Sequence, residues 1–318
     1  MKIRIATRSS ALALFQARQV QDALAARGVE SELVTYTTIG DRRLDVALSA
    51  IGAKGLFTQE LEDDLRAGRV DCCVHSLKDL PTADPEGLPV VARLEREDPR
   101  DALVVGPGAA GSGSLGALPN GARVGTSSLR RRAQLLALRP DLDVRELRGN
   151  VPTRLRKVEA GEVDAAILAA AGLHRLGLRG HVAAHLEAPA WLPAAGQGAI
   201  AVQVRGDDAR VRDLVASLDH APTALATRAE RALLAGLEGG CQVPIGALVV
   251  QEADGAARLH GLVADVAGTH VVRGERALDP RDPDGTGARL ADELRANGGD
   301  AILAGLRGVV RVPAPQPE

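Results

Sequence analysis

A five-residue echo constrains the architecture of this chain more than any other feature. Ala67-Gly68-Arg69-Val70-Asp71 recurs as Ala160-Gly161-Glu162-Val163-Asp164. Each copy closes a helix-patterned run and opens an apolar, strand-patterned one. A glycine at a helix end releases the chain from helical geometry, and the apolar run behind it reads as a buried strand. Two such junctions in one chain predict two similar α/β lobes.

The surrounding pattern supports that division. Ile3–Thr7 reads as a strand, Ser9 or Ser10 as the cap of a helix from Ala11 to about Arg27, and Gly28 as its stop. Val29–Thr37 reads as a second strand, Gly40–Gly55 as a loop, Phe57–Ala67 as a helix and Val70–His75 as a buried strand. The grammar repeats at Ala122–Gly125, with Thr126, Ser127 and Ser128 as caps. The helix that follows places Leu129, Ala133, Leu136 and Ala137 on one apolar face. Hinges are expected near Glu95–Arg100 and Leu192–Gly198, after which Ala199–Val204 can return as a strand to the first lobe. The last hundred residues change style. A helix over Thr223–Leu237 is followed by strands at Ala247–Gln251, Ala257–Val263 and His270–Arg276, with turns at Asp254-Gly255 and Ala267-Gly268. A helix over about Thr286–Asn297 closes the pattern. The expected fold class is α/β: two periplasmic-binding-protein-like lobes with a hinge, plus a small C-terminal α+β domain. Lobe 1 spans residues 1–96 and 198–216, lobe 2 spans 100–192, and the α+β domain spans 218–318.

Composition narrows the function classes. The formal net charge is −2, which gives no general pull toward nucleic acid or an anionic membrane. No stretch is long and apolar enough to span a bilayer, and Met1–Ile5 lacks a secretory apolar core. Phe15, Tyr36, Phe57 and Trp191 are the only aromatic residues, so Leu, Val, Ile and Ala must build the core. Cys72, Cys73 and Cys241 have no metal-ligand spacing and fit reduced thiols in a cytoplasmic protein. No metal site and no nucleotide motif is expected.

Four strand ends carry cations or hydroxyls. Arg8-Ser9-Ser10 follows the first strand, and Lys78-Asp79 follows the apolar run ending at His75. Thr126-Ser127-Ser128 with Arg130 and Arg131 opens a helix, and Arg148-Gly149-Asn150 with Arg154 opens another. Arginines in a helix's first turn oppose its dipole, so the combined field suits a bound anion, or else marks a solvated basic face. Asp79 either caps the next turn or serves a ligand. The Gly239–Gly246 segment places Cys241 in a Gly-Gly/Pro-Gly frame, as a small hydrophobe at a turn or as a presented thiol.

Taken in order, Arg8–Ala13, His75–Pro81, Gly125–Arg131, Leu147–Asn150, Gly196–Gly198 and Gly239–Gly246 make the chain resemble the porphobilinogen deaminase family along almost its whole length. The resemblance implies a transferase of tetrapyrrole biosynthesis. It would condense four porphobilinogen molecules head to tail into hydroxymethylbilane, releasing ammonia each time, on a covalent dipyrromethane primer. It implies Cys241 as the attachment thiol and Asp79 as the catalytic carboxylate that stabilises the cation left when ammonia departs. It implies Arg8, Ser10, Lys78, Thr126, Ser128, Arg130, Arg131, Arg148, Arg154, Arg175 and Gln197 as binding residues for the acetate and propionate groups of substrate and cofactor. It also implies a monomer. The chain departs from the family at Ala50, where lysine is common, at Gln59 and at Pro152, while Lys54 is retained. A non-catalytic two-lobed anion-binding protein is the alternative from another class. It would explain the arginines but neither Cys241 nor the third domain.

Overall fold

In the computed structural model of the protein, residues 2–37, 58–238, 243–252 and 255–309 are described. The expected loop at Gly40–Gly55, with Ala50 and Lys54, lies outside them, as do Cys241 and Asp254.

The first lobe begins with β1 (Lys2–Arg8), whose neighbour in the sheet is β2 (Glu30–Tyr36), parallel to it. Between them runs the helix Ala11–Ala25, capped by Ser10, whose hydroxyl accepts a hydrogen bond from the Ala13 amide. The helix Gln59–Arg66 leads into β3 (Cys72–Ser76), and β4 (Val90–Arg93) completes the first passage through this lobe. The chain then crosses to β5 (Asp101–Val105). The second lobe continues through β6 (Arg123–Gly125), β7 (Asp143–Arg145), β8 (Ala165–Ala169) and β9 (Ala184–Leu186). The second crossover returns as β10 (Ile200–Val204), antiparallel between β3 and β4.

The two sheets have corresponding strand orders, β2-β1-β3-β10-β4 and β7-β6-β8-β5-β9. In each, one strand that enters from the other lobe runs antiparallel to its neighbours. This is the two-lobed α/β arrangement expected from the repeated junction. The repeat has a physical basis. Asp71 ties its carboxylate to the Arg4 amide at 2.8 Å and to the Arg4 guanidinium at 3.0 and 2.8 Å. Asp164 holds Arg123 in the same way, at 2.8, 3.0 and 2.6 Å. Each clamp fixes the start of one strand against the next.

The cores are aliphatic, as the near-absence of aromatics requires. Ile3, Ile5, Val20, Leu24, Val74 and Val202 pack in lobe 1, and Leu103, Val124, Leu135 and Ile167 pack with Trp191 in lobe 2. The helix Leu129–Leu138 corrects the expected face. It buries Arg130, Arg131, Ala133, Gln134 and Leu135, while Ala137 and Leu138 are exposed. The reason is electrostatic: the buried guanidinium groups have a carboxylate inside the lobe.

The third unit is an antiparallel sheet of β11 (Ile245–Gln251), β12 (Ala257–Ala264) and β13 (Val271–Ala277). The helices Ala221–Gly236 and Pro283–Leu294 cover one face through Leu233, Leu237, Leu290 and Leu294. The final expected helix ends earlier than the pattern suggests. Asn297 and Gly298 break it, and a further helix over Asp300–Val309 was not legible. On the other face, Leu248 and Leu262 pack against Ala133 and Leu192, which joins this domain to lobe 2.

Candidate active site

The candidate site grows from strand ends. After β3 the chain makes a single tight turn, Leu77–Asp79, that buries Leu77 and leaves Asp79 exposed. Asp79 lines a small cavity together with Arg8, Ser10, Gln16, Thr58 and Ser76. Lys78 turns the other way and donates from Nζ to Oε1 of Gln197, 3.2 Å distant, in the second crossover. Loss of hydration lowers its pKa to about 8. Asp79 and Asp101 favour its charged form, while Arg131 and Arg130 oppose it.

The turn is held from outside the lobe. Arg231, on the helix Ala221–Gly236, donates to the carbonyls of Leu77 and Leu80 at 3.4 Å, Pro81 at 2.5 Å and Thr82 at 3.1 Å. Its neighbour Glu230 is fully buried and pairs with both arms of the Arg96 guanidinium at 2.7 and 2.9 Å. Glu230 also accepts from the amides of Gly196 and Val249. One helix of the C-terminal domain therefore fixes both crossovers and the Lys78-Asp79 turn. The crossovers also hold each other: the Glu97 amide donates to Gly198 O at 3.2 Å. Gly198 has φ +88, and a Cβ there would stand 2.3 Å from Glu97 O, so only glycine fits.

Lobe 2 brings cations to the same place. Asp101 has no exposed surface and accepts five hydrogen bonds. Arg130 Nη1 and Trp191 Nε1 reach Oδ2 at 2.7 and 2.8 Å. Arg131 reaches Oδ1 from Nε and Nη2 at 3.1 and 2.7 Å, and Gln197 Nε2 reaches it at 2.8 Å. Burial alone would raise the pKa of this carboxyl. Arg130 and Arg131 outweigh burial and hold it far below the usual carboxylate range. The two arginines, each only 5% exposed, thus carry their own buried counter-ion. Ser128 caps their helix by accepting from the Arg131 amide at 3.4 Å, and buried Thr126 accepts from the Ser128 amide.

The helix Val151–Glu159 begins beside them, capped by Asn150, with Pro152 in its first turn, where a missing N–H costs nothing. Arg154 bonds back to Gly149 O at 2.8 Å. Burial first, then Arg131 and Arg148, lower its pKa to about 10, while Asp79 acts the other way. That coupling matters because Asp79 belongs to lobe 1 and Arg154 to lobe 2. Arg175 donates Nη2 to Gly198 O at 2.7 Å, and burial brings its pKa to about 10. Its Nε is buried without a hydrogen-bond partner.

The structure thus brings together Lys78, Asp79, Arg130, Arg131, Arg154 and Gln197 between the lobes, with Arg148 beside Arg154. Arg8 and Ser10 stand on the lobe 1 wall with Asp79. Arg175 is set back at the crossover. Cys241 lies outside the described residues, between Glu238, which ends the turn after the helix Ala221–Gly236, and Val243. Asp101, Glu230 and Arg231 were not anticipated. An acid at the head of an apolar strand and an adjacent Glu-Arg pair on a helix look like solvated surface when only the chain is read. Cys72 and Cys73 are buried and free. Burial pushes the Cys72 thiol up to about 12 and that of Cys73 well above its usual range, so neither is a nucleophile.

Comparison with known proteins identifies the family of the chain. The family model described as porphobilinogen deaminase, dipyromethane cofactor binding domain, matches residues 3–213, and the one described as porphobilinogen deaminase, C-terminal domain, matches residues 224–296. Among solved structures, the VFT2 domain of Bordetella pertussis BvgS (a double mutant) is 16% identical, covering 68% of this chain and 86% of its own, with a TM-score of 0.43. The methionine binding protein MetQ is 15% identical, covering 68% and 89%, with a TM-score of 0.43. A periplasmic substrate-binding protein of an ABC transporter from Coxiella burnetii is 17% identical, covering 72% and 96%, with a TM-score of 0.42. These superpositions are loose, and the two-lobed assignment stands on the strand orders given above.

Proposed function

The chain belongs to the porphobilinogen deaminase family, and on that premise we propose which of its residues carry the reaction. The reaction itself is that of the family: four porphobilinogen molecules are joined head to tail into hydroxymethylbilane, with release of ammonia, on a covalent dipyrromethane primer. Membership in an enzyme family over both domains sets aside the non-catalytic anion-binding alternative.

The observation that carries the assignment is the meeting of one exposed carboxylate with a set of buried and half-buried cations. Lys78, Arg154 and Arg175 all have depressed pKa values, two of them in part because other cations crowd them. Such a cluster is stabilised by a ligand that brings several carboxylates, as pyrroles bearing acetate and propionate do. The residues therefore fit the dipyrromethane. When bound, it supplies the pyrrole carbon to which the first substrate unit is joined. Asp79 faces the positive charge that develops on a porphobilinogen unit as its ammonia leaves, stabilises it, and takes up the proton released when the new bond forms. Lys78, Arg148 and Arg154 hold acid side chains of the rings, with Arg8, Ser10, Thr126 and Ser128 along the walls. Arg130 and Arg131 add positive potential from beneath, oriented by Asp101. Arg175 and Gln197 serve the cleft from the crossover.

Cys241 carries the primer in this reading, supported by its place in the Gly-Gly/Pro-Gly segment and by the inert burial of the other two thiols. Intact mass of the purified protein should exceed the chain mass by two linked pyrrole units. Cys241→Ser should fold, lack the addition and be inactive. An adduct mapped to Cys72 or Cys73 contradicts the assignment.

We also assign the protein to the cytoplasm as a monomer. The unbridged Cys72 and Cys73 support a reducing compartment. Among the described residues only Phe15 and Leu138 are large exposed hydrophobics, too little for an apolar subunit interface. Light scattering that gave a dimer mass would overturn the second point.

A further inference from the structure

We infer that the first crossover carries a binding site for a divalent transition-metal ion of the zinc class, formed by Asp98, His174 and His185. One donor atom from each lies within 4.8 Å of the other two. They come from three separate elements: the crossover itself, the helix Ala170–Arg175 and β9. The two imidazoles meet edge to face, with centroids 5.8 Å apart. Nε2 of His185 is buried, makes no hydrogen bond and stands 3.7 Å from Oδ2 of Asp98. A neutral imidazole nitrogen in that position is satisfied by giving its lone pair to a cation that the carboxylate also binds.

The surroundings favour such an ion. Glu97 Oε1 lies 3.1 Å from His174 Nδ1, which fixes the ring and adds a second carboxylate, the usual support for a ligating histidine. Arg100 pairs with Asp98 and Glu187, Arg179 is 3.9 Å from Glu97, and Arg175 also acts on Glu97, so three acids face three guanidinium groups and the attraction for a cation rests on the imidazole nitrogens and Asp98. Two imidazoles, one carboxylate and a water suit tetrahedral zinc, or cobalt or nickel, whereas magnesium and calcium prefer oxygen alone. The donors are spread wider than the about 3.4 Å edge of a zinc tetrahedron. Closing that spread takes a rotation of His185, whose side chain is 28% exposed. An ion there ties the first crossover to lobe 2, outside the substrate-binding residues.

The test uses the holoprotein with its primer attached and zinc alone as the probe. Calorimetric titration should show one zinc ion per chain, with affinity at least tenfold weaker in His174→Ala and in His185→Ala. Cobalt in place of zinc should give visible bands without the intense thiolate charge-transfer absorption. In the unmutated chain, zinc should protect partly exposed His185, but not exposed His270, from acylation mapped by peptide mass. No binding, binding unchanged in the double histidine variant, a thiolate band, or equal acylation with and without zinc would each overturn the site.

Discussion

In lobe 1, Arg4 reaches from β1 to Asp71. In lobe 2, Arg123 reaches from β6 to Asp164 with the same three hydrogen bonds. Beyond these clamps the lobes part. The turn after β3 presents an exposed carboxylate, Asp79, beside Lys78, while the segment after β8 is the helix Ala170–Arg175, which ends in a buried arginine. The helix after β1 has no charge in its first turn. The helix after β6 carries Arg130 and Arg131, with Asp101 buried beneath as their counter-ion. The lobes share this ion-pair clamp at corresponding strands and differ where strands end. In the proposed reaction lobe 1 supplies the carboxylate that meets developing positive charge, and lobe 2 supplies most of the charges that hold anions, with Arg8 and Lys78 of lobe 1 beside them.

Mutation can set the lobes against each other, and the greatest loss should come from the buried counter-ion. Asp101→Ala leaves two buried guanidinium groups without their carboxylate, and breaking a buried pair costs about 3–5 kcal/mol. Thermal unfolding should show lobe 2 destabilised by that order, with loss of activity following loss of fold. Because Asp101 is held below its unfolded pKa, its contribution is complete above about pH 4 and is lost only as pH falls toward the folded value. The difference in stability between Asp101→Ala and the unmutated chain should therefore shrink on acidification. A difference independent of pH would mean that the ion pair is not what stabilises this lobe.

The second prediction separates the lobes by titration. Burial lowers the pKa of Lys78 in lobe 1 to about 8 and those of Arg154 and Arg175 in lobe 2 to about 10. kcat/KM should thus fall as pH rises through about 8, and Lys78→Arg, which stays charged, should move that limb upward. An unmoved limb assigns it elsewhere. The smallest effects belong to the clamps. Arg4→Ala and Arg123→Ala remove half-exposed ion pairs, which are weak. Their melting temperatures should drop alike, and much less than for Asp101→Ala. Unequal drops would show that the repeated segment does not play the same part in both lobes.

Much of this frame was legible in the chain. The repeated Val-Asp junction gave two lobes because a glycine stop and an apolar strand leave local signals. The cation-bearing strand ends could be found because open α/β sheets bind ligands there. Asp101 could not be found, since its importance comes from Arg130, Arg131, Trp191 and Gln197, which are distant in sequence and adjacent only once folded. The same holds for Glu230 and Arg231, which look like an exposed pair and are instead buried against both crossovers and the Lys78-Asp79 turn. The expected apolar face of the helix Leu129–Leu138 failed for a related reason. Hydropathy periodicity assumes that arginine points to water, and here two arginines point inward to an acid.

The division of labour is tested most directly by single-turnover ammonia release, measured alongside retention of porphobilinogen, in Asp79→Asn and Arg154→Ala holoproteins. Asp79→Asn should keep the primer and bind porphobilinogen within about threefold of normal, but release ammonia about 10²- to 10⁴-fold more slowly. Arg154→Ala should lose about ten- to hundredfold in binding, the worth of a charge-assisted hydrogen bond, and release ammonia at a near-normal rate from what it does bind. Rapid ammonia release from a folded, primed Asp79→Asn protein would contradict the account.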